Sequence, residues 1–362
     1  MVLEDFMSKF KKRIILFLFI IMAVTLGIKG KTLLPYKAEP LFQLKTDQEI
    51  TNMGILKGGV LATFDGDRLA FYDRQGRKKT VDRLGEGQKV FFGEADAMLY
   101  DEDVDKVVVF GEDGKEKQAY RIDGTLFNAC VQGGTRIFHC RYDDGEKLFV
   151  ASDGGSLTEV FQTKNYILDY RFDSSKSFVV TELSNAANGY KTTVYREEGK
   201  GDRGAMASWE FPMEVAMRMV VGKYPMVVTE KHLYGLDKEL ITEKTPILSD
   251  VTLYNGRLHS LHSGLLSVYD GHLKEKKHYL MEANVDRLAV MSEGLFAYGN
   301  REILSRPMSK APFHIRFDDN QEMLHLKDGY LAAYEHKHVA FYRLKPHFSF
   351  SKDKIQELKQ TE

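Results

Sequence analysis

The sequence predicts an all-β fold: a β-propeller of eight four-stranded blades, with seven as the alternative count, closed by an N-terminal strand and preceded by one transmembrane helix. Three observations lead there. From residue 58 onward, short apolar runs rich in β-branched and aromatic residues alternate with Asp/Gly/Asn turns, and a helical 3.6-residue period is hard to find. The same phrase recurs at a mean spacing of about 39 residues, close to the length of a four-stranded blade. The last unit lacks its final strand, while one spare strand stands ahead of the first unit.

In chain order, the helix comes first. Residues 14–28 (IILFLFIIMAVTLGI) carry no charge, and Lys9, Lys11, Lys12, Arg13, Lys29 and Lys31 flank them. As a helix this run covers about 22 Å, short of a hydrocarbon core of about 30 Å. Snorkelling of the flanking cations makes up the difference. The length also fits a cleaved signal peptide, but Thr25-Leu26-Gly27 is the best cleavage site on offer and a poor one. No cysteine follows, which excludes a lipid-anchored lipoprotein. The expected layout is a basic cytoplasmic tail (1–13), a signal anchor (14–28), a linker (29–40), an extracytoplasmic propeller (41–345) and a polar tail (346–362), single-pass in the cell membrane. Thirteen residues inside the cell are too few for a signalling domain.

Leu41-Phe42-Gln43-Leu44 is the spare strand. The first unit is GGVLATFDGDRLAFYDRQGRKKTVDRL (58–84) followed by QKVFFG (88–93). It reads as four strands, with tight turns at Asp65-Gly66-Asp67 and Arg74-Gln75-Gly76, where Gly supplies positive φ and Asp bonds its own backbone. Later units place equivalent apolar residues at Met98, Ile137, Val179, Val227, Leu258, Leu295 and Leu331, matching Leu61. Blade four is long, with Ser184–Gly189 and Lys200–Ala207 as insertions, and blade five is short. The ring closes if the N-terminal strand completes the last blade and removes its open edge. Two packed sandwiches would need an interdomain linker, which this regular repeat lacks.

The phrase Asp65-Gly66-Asp67-Arg68-Leu69-Ala70-Phe71-Tyr72-Asp73, echoed by Leu265-Leu266-Ser267-Val268-Tyr269-Asp270, resembles the blades of PQQ-like and WD40-like bacterial propellers. Arg171-Phe172-Asp173-Ser174-Ser175-Lys176-Ser177 resembles the polar turn that opens a WD40-type blade. The whole layout resembles membrane-anchored bacterial β-propeller proteins with degenerate repeats. No Trp-Asp dipeptide ends a blade, and a single Trp209 does not supply one tryptophan per blade, so no quinone or other cofactor is expected.

Composition removes other classes. Lys+Arg number 51 against 52 Asp+Glu, without the basic surplus of a nucleic-acid binder. Two cysteines exclude a disulfide scaffold and a Cys-based zinc module. Cys130 should sit opposite Ile137 and Cys140 opposite Phe127, too far apart for a disulfide, so both are read as buried free thiols. No GxSxG, HExxH or P-loop occurs, and Gly85-Glu86-Gly87 reads as an inter-strand loop. His259 and His262 point to opposite faces of an extended segment, and His336 and His338 read as a solvated turn. Asp101-Glu102-Asp103-Val104-Asp105 with Glu112 imitates a calcium loop. However, Lys106 stands where the bend needs Gly, and Val107–Phe110 reads as a strand.

One constellation remains. The turns between second and third strands share one face of a propeller. In the first three blades they carry Asp65, Asp67, Asp101, Glu102, Asp103, Asp105, Asp143, Asp144 and Glu146; in blades five to eight they carry Glu230, Lys231, His232, Ser263, Gly264, Asn300, Arg301, His336 and Lys337. The expected site is an acidic sector at Asp65, Asp67, Asp101, Asp103, Asp105, Asp143 and Asp144, facing a cationic segment of an envelope protein or other extracytoplasmic ligand. Function is therefore read as a membrane-tethered, non-enzymatic interaction or ligand-binding module. The alternative is an extracytoplasmic hydrolase or lyase whose residues converge on the channel from separate blades. A ligand sensor would need a second membrane partner for its output.

Overall fold

The computed structural model describes residues 36–81, 88–174, 177–197, 207–237, 240–244, 248–281, 284–309, 312–346 and 355–358. The apolar run 14–28 with its flanks, the Gly85–Gly87 loop and most of the second blade-four insertion lie outside the described residues. No helix among the described residues is long and apolar enough to cross a membrane.

Strand β1 (Tyr36–Lys45) comes first. Blade 1 follows with β2 (Asn52–Leu56), β3 (Val60–Phe64), β4 (Leu69–Tyr72) and β5 (Lys78–Val81). Blade 2 has β6 (Lys89–Phe92), β7 (Asp96–Asp101), β8 (Lys106–Gly111) and β9 (Glu116–Arg121). Blade 3 has β10 (Thr125–Gln132), β11 (Thr135–Tyr142), β12 (Gly145–Ala151) and β13 (Leu157–Thr163). Blade 4 has β14 (Tyr166–Ser174), β15 (Ser177–Ala186), β16 (Gly189–Glu197) and β17 (Ala207–Pro212). Blade 5 has β18 (Ala216–Val221), β19 (Pro225–Thr229), β20 (His232–Leu236) and β21 (Leu240–Lys244). Blade 6 has β22 (Asp250–Tyr254), β23 (Arg257–His262), β24 (Leu265–Tyr269) and β25 (Glu275–Leu280). Blade 7 has β26 (Arg287–Met291), β27 (Gly294–Tyr298), β28 (Glu302–Ser305) and β29 (Phe313–Phe317). Blade 8 has β30 (Met323–Lys327), β31 (Tyr330–Glu335) and β32 (His338–Pro346), and β1 pairs with β32 as its outermost strand. A last strand, β33 (Ile355–Leu358), runs parallel to β29 as a fifth strand of blade 7.

The eight four-stranded blades and the N-terminal closure are therefore as the sequence predicts. The phase of the blades is not. QKVFFG belongs to β6, the innermost strand of blade 2, and blade 1 takes β2 instead. The short Asn-Met-Gly-Ile-Leu stretch of β2 carries little signal of its own, because only Gly58 and Gly59 mark the turn that follows it. Likewise Arg171–Ser177 spans the junction from β14 to β15 inside blade 4 and does not open a blade. Strand β1 begins at Tyr36, within the stretch read as linker, and β33 lies within the stretch read as polar tail.

Middle strands such as β4, β19 and β31 are buried on both faces and read as continuous apolar runs with little alternation, while outer strands such as β21 and β25 are polar and exposed. In β31, Leu331 and Ala333 pack with Phe296, Ile303 and Ile315 of blade 7, while Ala332 and Tyr334 pack with Met53, Leu61 and Tyr72 of blade 1. Turns are built by side chains. Asp73 Oδ1 accepts the Gln75 and Arg77 N–H groups after β4, and Asp270 Oδ1 accepts those of His272 and Lys274 after β24. The phrase shared by these two blades thus ends on a common turn cap. Around the axis, polar side chains tie innermost strands to their neighbours. Asn52 donates to the Val90 carbonyl at 2.9 Å; Gln132, Asp169 and Asp250 accept from the N–H groups of Phe172, Met219 and Leu288 at 2.9, 2.9 and 2.7 Å.

The chain ends clasp each other. Gln356 of β33 accepts from the Ala38 N–H at 2.8 Å and donates to the Ala38 carbonyl at 2.9 Å, while Leu358 is buried in the core between blades 7 and 8. Gln356→Ala should therefore lower the unfolding free energy by about 1–2 kcal/mol, read as a lower urea midpoint. An unchanged midpoint would show that the clasp contributes nothing.

Candidate functional site

Antiparallel order within each blade puts two kinds of connection on each end of the ring. The second-to-third-strand turns and the links between blades share one face, here called apical; the other two turns of each blade share the basal face. The predicted acidic residues all fall on the apical face. Asp65 is half-buried, and its Oδ1 accepts the N–H groups of Asp67 (3.1 Å) and Arg68 (2.8 Å), so it builds the turn. Asp101 does similar work, accepting from Asp103 N–H and from Gln88 Nε2, both at 3.1 Å. Asp67, Asp103, Asp105, Asp143 and Asp144 are exposed and have no ion-pair partner among the described residues.

Two features differ from the sequence reading. Acidity is not confined to one sector. Links between blades add exposed Asp47, Glu49, Asp123, Asp286, Asp318, Asp319 and Glu322 to the same face, and a count of second-to-third-strand turns alone misses them. In the later blades several of the expected polar groups are engaged: Glu230 accepts from Val215 N–H at 2.6 Å, Arg301 donates to the Phe317 carbonyl at 2.9 Å, and His336 pairs with Glu322 at 3.0 Å.

The second difference is Glu146. It opens β12 next to Asp143 and Asp144, yet points inward and is buried. Its carboxylate takes His139 Nε2 at 2.9 Å, Arg141 at 2.6 and 3.1 Å, and the Ile167 N–H of blade 4 at 2.7 Å. Burial works to raise this carboxyl, but those hydrogen bonds outweigh it and hold it below the usual carboxylate range. Burial also lowers the His139 imidazole, against the pull of Glu146. Held from below, the Arg141 guanidinium lies over the Phe127 ring (5.3 Å) and the Tyr166 ring (5.6 Å). These two rings are 56% and 60% exposed, an unusual degree for aromatics fixed in place. Arg141, Asp143, Asp144, Lys164, Tyr166 and Asn185 surround a hollow of about 420 Å³.

Phe127 belongs to a repeated device. Register shifts at Leu126/Asn128, Ile167/Asp169 and Ala216/Arg218 mark a bulge near the apical end of the innermost strand in blades 3, 4 and 5. The bulged residues Phe127, Leu168 and Met217 are all exposed. The sequence carries a trace of this: Leu126-Phe127-Asn128, Ile167-Leu168-Asp169 and Ala216-Met217-Arg218 each set two apolar residues before a polar one. Together these residues give the apical face an apolar, preorganised patch beside unpaired carboxylates.

The basal face holds a larger cleft, about 660 Å³, lined by Arg171, Val179, Arg196, Val221, Thr252 and Leu253 among others. Elsewhere, His259 and His262 are buried on opposite faces of β23, bonded to the Arg257 carbonyl and to Ser267 Oγ. Cys130 pairs in register with Ile137 and Cys140 with Leu126, one residue from the expected position because the bulge intervenes. Both thiols are free; Cys140 is buried and Cys130 half-buried, and burial pushes Cys140 up to about 12. No group of three His, Cys, Asp or Glu side chains suited to a metal ion occurs among the described residues. Val107–Phe110 lie in β8, so the strand separates Glu112 from the Asp101–Asp105 turn.

No protein-family model matches this chain, and no curated protein matches it. Solved structures do. BamB from Moraxella catarrhalis is similar over 85% of this chain and 100% of its own, at TM-score 0.55 and 10% identity, which shows a shared propeller fold. The WD40 domain of Neurospora crassa Pan2 (TM-score 0.47, 10% identity, 87% of this chain and 97% of that one) and Citrobacter koseri AztD (0.44, 9%, 70% and 82%) also match.

Two outcomes follow from the buried groups. Burial lowers His139, His259, His262, His314 and His325, so they take up protons less readily in the fold than in the unfolded chain, where a histidine titrates near pH 6.5. Their contribution is complete above that pH and is lost as pH falls. Glu146 and Glu214, both held low by their hydrogen bonds, add a loss of the same sign near pH 4. The melting temperature should drop from pH 7.5 to pH 5.5, and a flat or rising profile would contradict these assignments. Glu146→Ala strands His139 and the Ile167 N–H in the interior. It should cost about 3 kcal/mol by chemical denaturation, against a few tenths for Asp144→Ala at the exposed tip.

Proposed function

We propose that this protein is a membrane-tethered, extracytoplasmic interaction module that uses its apical face to bind a cationic segment of an envelope protein. The observation that carries the reading is the set of exposed carboxylates at Asp67, Asp103, Asp105, Asp143 and Asp144, left without ion-pair partners among the described residues. Same-sign charge of this kind focuses field and steers an oppositely charged partner. The Phe127–Arg141–Tyr166 patch beside it adds rigid aromatic surface of the sort that dominates binding energy at protein interfaces. A propeller neighbour such as BamB is compatible with an interaction module at the level of fold.

Residues 14–28 would supply the tether, with the propeller outside the cell. Strand β1 starts at the basal end, with Tyr36 opposite Pro346. The residues between Ile28 and Tyr36 span at most about 25 Å when extended. That connection favours a base turned toward the bilayer and an apical face turned away from it, open to a partner.

The test is in-cell crosslinking of the full chain. The wild type should capture a basic envelope protein. The triple charge reversal D103K/D143K/D144K should reduce capture about ten-fold without changing expression or melting temperature, because all three residues are exposed and none of their side chains holds a turn. Capture that is unaffected by the reversal would sink the reading.

A further inference from the structure

We propose that the bulged innermost strands of blades 3, 4 and 5 form one docking track on the apical face, for a peptide segment that carries basic residues at one end and then apolar side chains along one side. This rests on the reading of the apical face as a docking surface for a cationic partner, and it names what else that partner brings.

The track is built by register. In blades 3, 4 and 5 the pairing of the innermost strand shifts by one residue, and Phe127, Leu168 and Met217 are the residues left out of the ladder. The residue before each of them (Leu126, Ile167 or Ala216) is buried, whereas the bulged residue turns outward and is exposed. Hydrogen bonds between blades make the three positions equivalent neighbours. Asn128, just after Phe127, donates to the Tyr170 hydroxyl at 2.9 Å; Asp169, just after Leu168, accepts the Met219 N–H at 2.9 Å. Each bond joins the residue one past a bulge to the residue two past the next bulge. Three apolar side chains thus stand in a row across three adjoining strands.

The ring does not need this device. The innermost strands of blades 1, 2, 6, 7 and 8 pair with their neighbours without a register shift, and they belong to the same closed stack. A lone exposed apolar residue is ordinary surface; a row of them, each lifted out by the same irregularity, is a contact surface. Phe127 is also fixed in advance. Glu146 holds Arg141, and Arg141 lies over the Phe127 ring at 5.3 Å. Order present before binding does not have to be imposed by the partner.

Charge sets the direction of the segment. Asp143 and Asp144 of blade 3 and Asp103 and Asp105 of blade 2 are exposed and have no ion-pair partner among the described residues, and they lie at the Phe127 end of the row. Exposed Lys164 and Arg218 lie toward blades 4 and 5. Basic residues therefore belong over blades 2 and 3, and the apolar side chains over Phe127, Leu168 and Met217. An extended segment presents every second residue to one side, so alternating apolar residues would meet the row.

Fluorescence anisotropy on the full chain in non-ionic detergent tests this. The probe is a fluorescein-labelled peptide of two lysines followed by alternating leucine and threonine; one control replaces leucine by serine, the other lysine by glutamate. The probe should bind saturably, about ten-fold tighter than either control. Phe127→Ser and Leu168→Ser should each weaken it about ten-fold. Met217→Ser should weaken it as much with the melting temperature unchanged, which covers the case in which either of the others is unstable. Reduced partner capture in D103K/D143K/D144K, with peptide binding indifferent to all three serine variants, would leave the cationic reading standing and overturn the track. Peptide binding that depends on the three residues, with capture indifferent to the charge reversal, would keep the track and remove the cationic partner. Equal binding of the leucine and serine peptides also overturns the proposal. So does concentration-dependent dimerisation in sedimentation velocity that Met217→Ser abolishes, because it would assign the row to a second copy.

Discussion

Each blade has two apolar faces, and neither can be left in water. In β31 the alternating side chains serve blade 7 on one side and blade 1 on the other, and the same holds around the ring. Such a stack has no stable free end, so the first and last blades must meet. The pairing of β1 with β32 is what makes that possible. It supplies the outermost strand of blade 8 from the beginning of the chain, with nine residues of Cα register from Tyr36↔Pro346 to Lys45↔His338. Gln356 then bridges β33 to Ala38, so both ends of the described chain hold the same seam. The apical and basal faces, and every site on them, exist only because this seam closes.

Closure also decides which polar groups are free to meet a ligand. Groups near the axis are used to join blades: Asn52, Gln132, Asp169 and Asp250 each bond a neighbouring innermost strand. Glu146 and Glu214 hold apical connections from within, the latter through Thr229, His232 and Tyr234. What remains unspent is at the tips. Asp143 and Asp144 stand three and two residues from Glu146, yet these tip residues stay solvated and, among the described residues, unpaired. At the base, Asp169 is likewise consumed by the scaffold, taking Arg171 Nη1 and the Met219 N–H.

Much of this was legible in the sequence because turn chemistry is local. Asp65-Gly66-Asp67 and Asp73 announce their turns through residues that bond their own backbone, and the structure has both. The spare strand at Leu41–Leu44 was legible because the final unit was short by one. Features set by neighbours in space were not. Glu146 follows Gly145, which lies so close to β13 at a φ of 148° that a Cβ there would collide with the Thr163 carbonyl oxygen, a neighbour that spacing along the chain does not reveal. The bulges at Phe127, Leu168 and Met217 sit on innermost strands whose burial does not follow a strict alternation, so no break in a period of two marks them. That Arg171, Val179 and Arg196 stand side by side across blade 4 follows from the registers of two strand pairs, which spacing alone does not give. β33 was missed because only Leu358 of its four residues is buried.

The central claim is that the apical face, with its unpaired carboxylates and its Arg141-centred aromatic patch, is where a partner docks. Hydrogen exchange on the full chain, alone and with its crosslinked partner, tests this most directly. The account predicts slowed exchange on binding at residues 101–105, 127 and 143–146, with the basal turn at 270–274 unchanged. Protection confined to basal turns, with the apical residues exchanging as in the free protein, would contradict it.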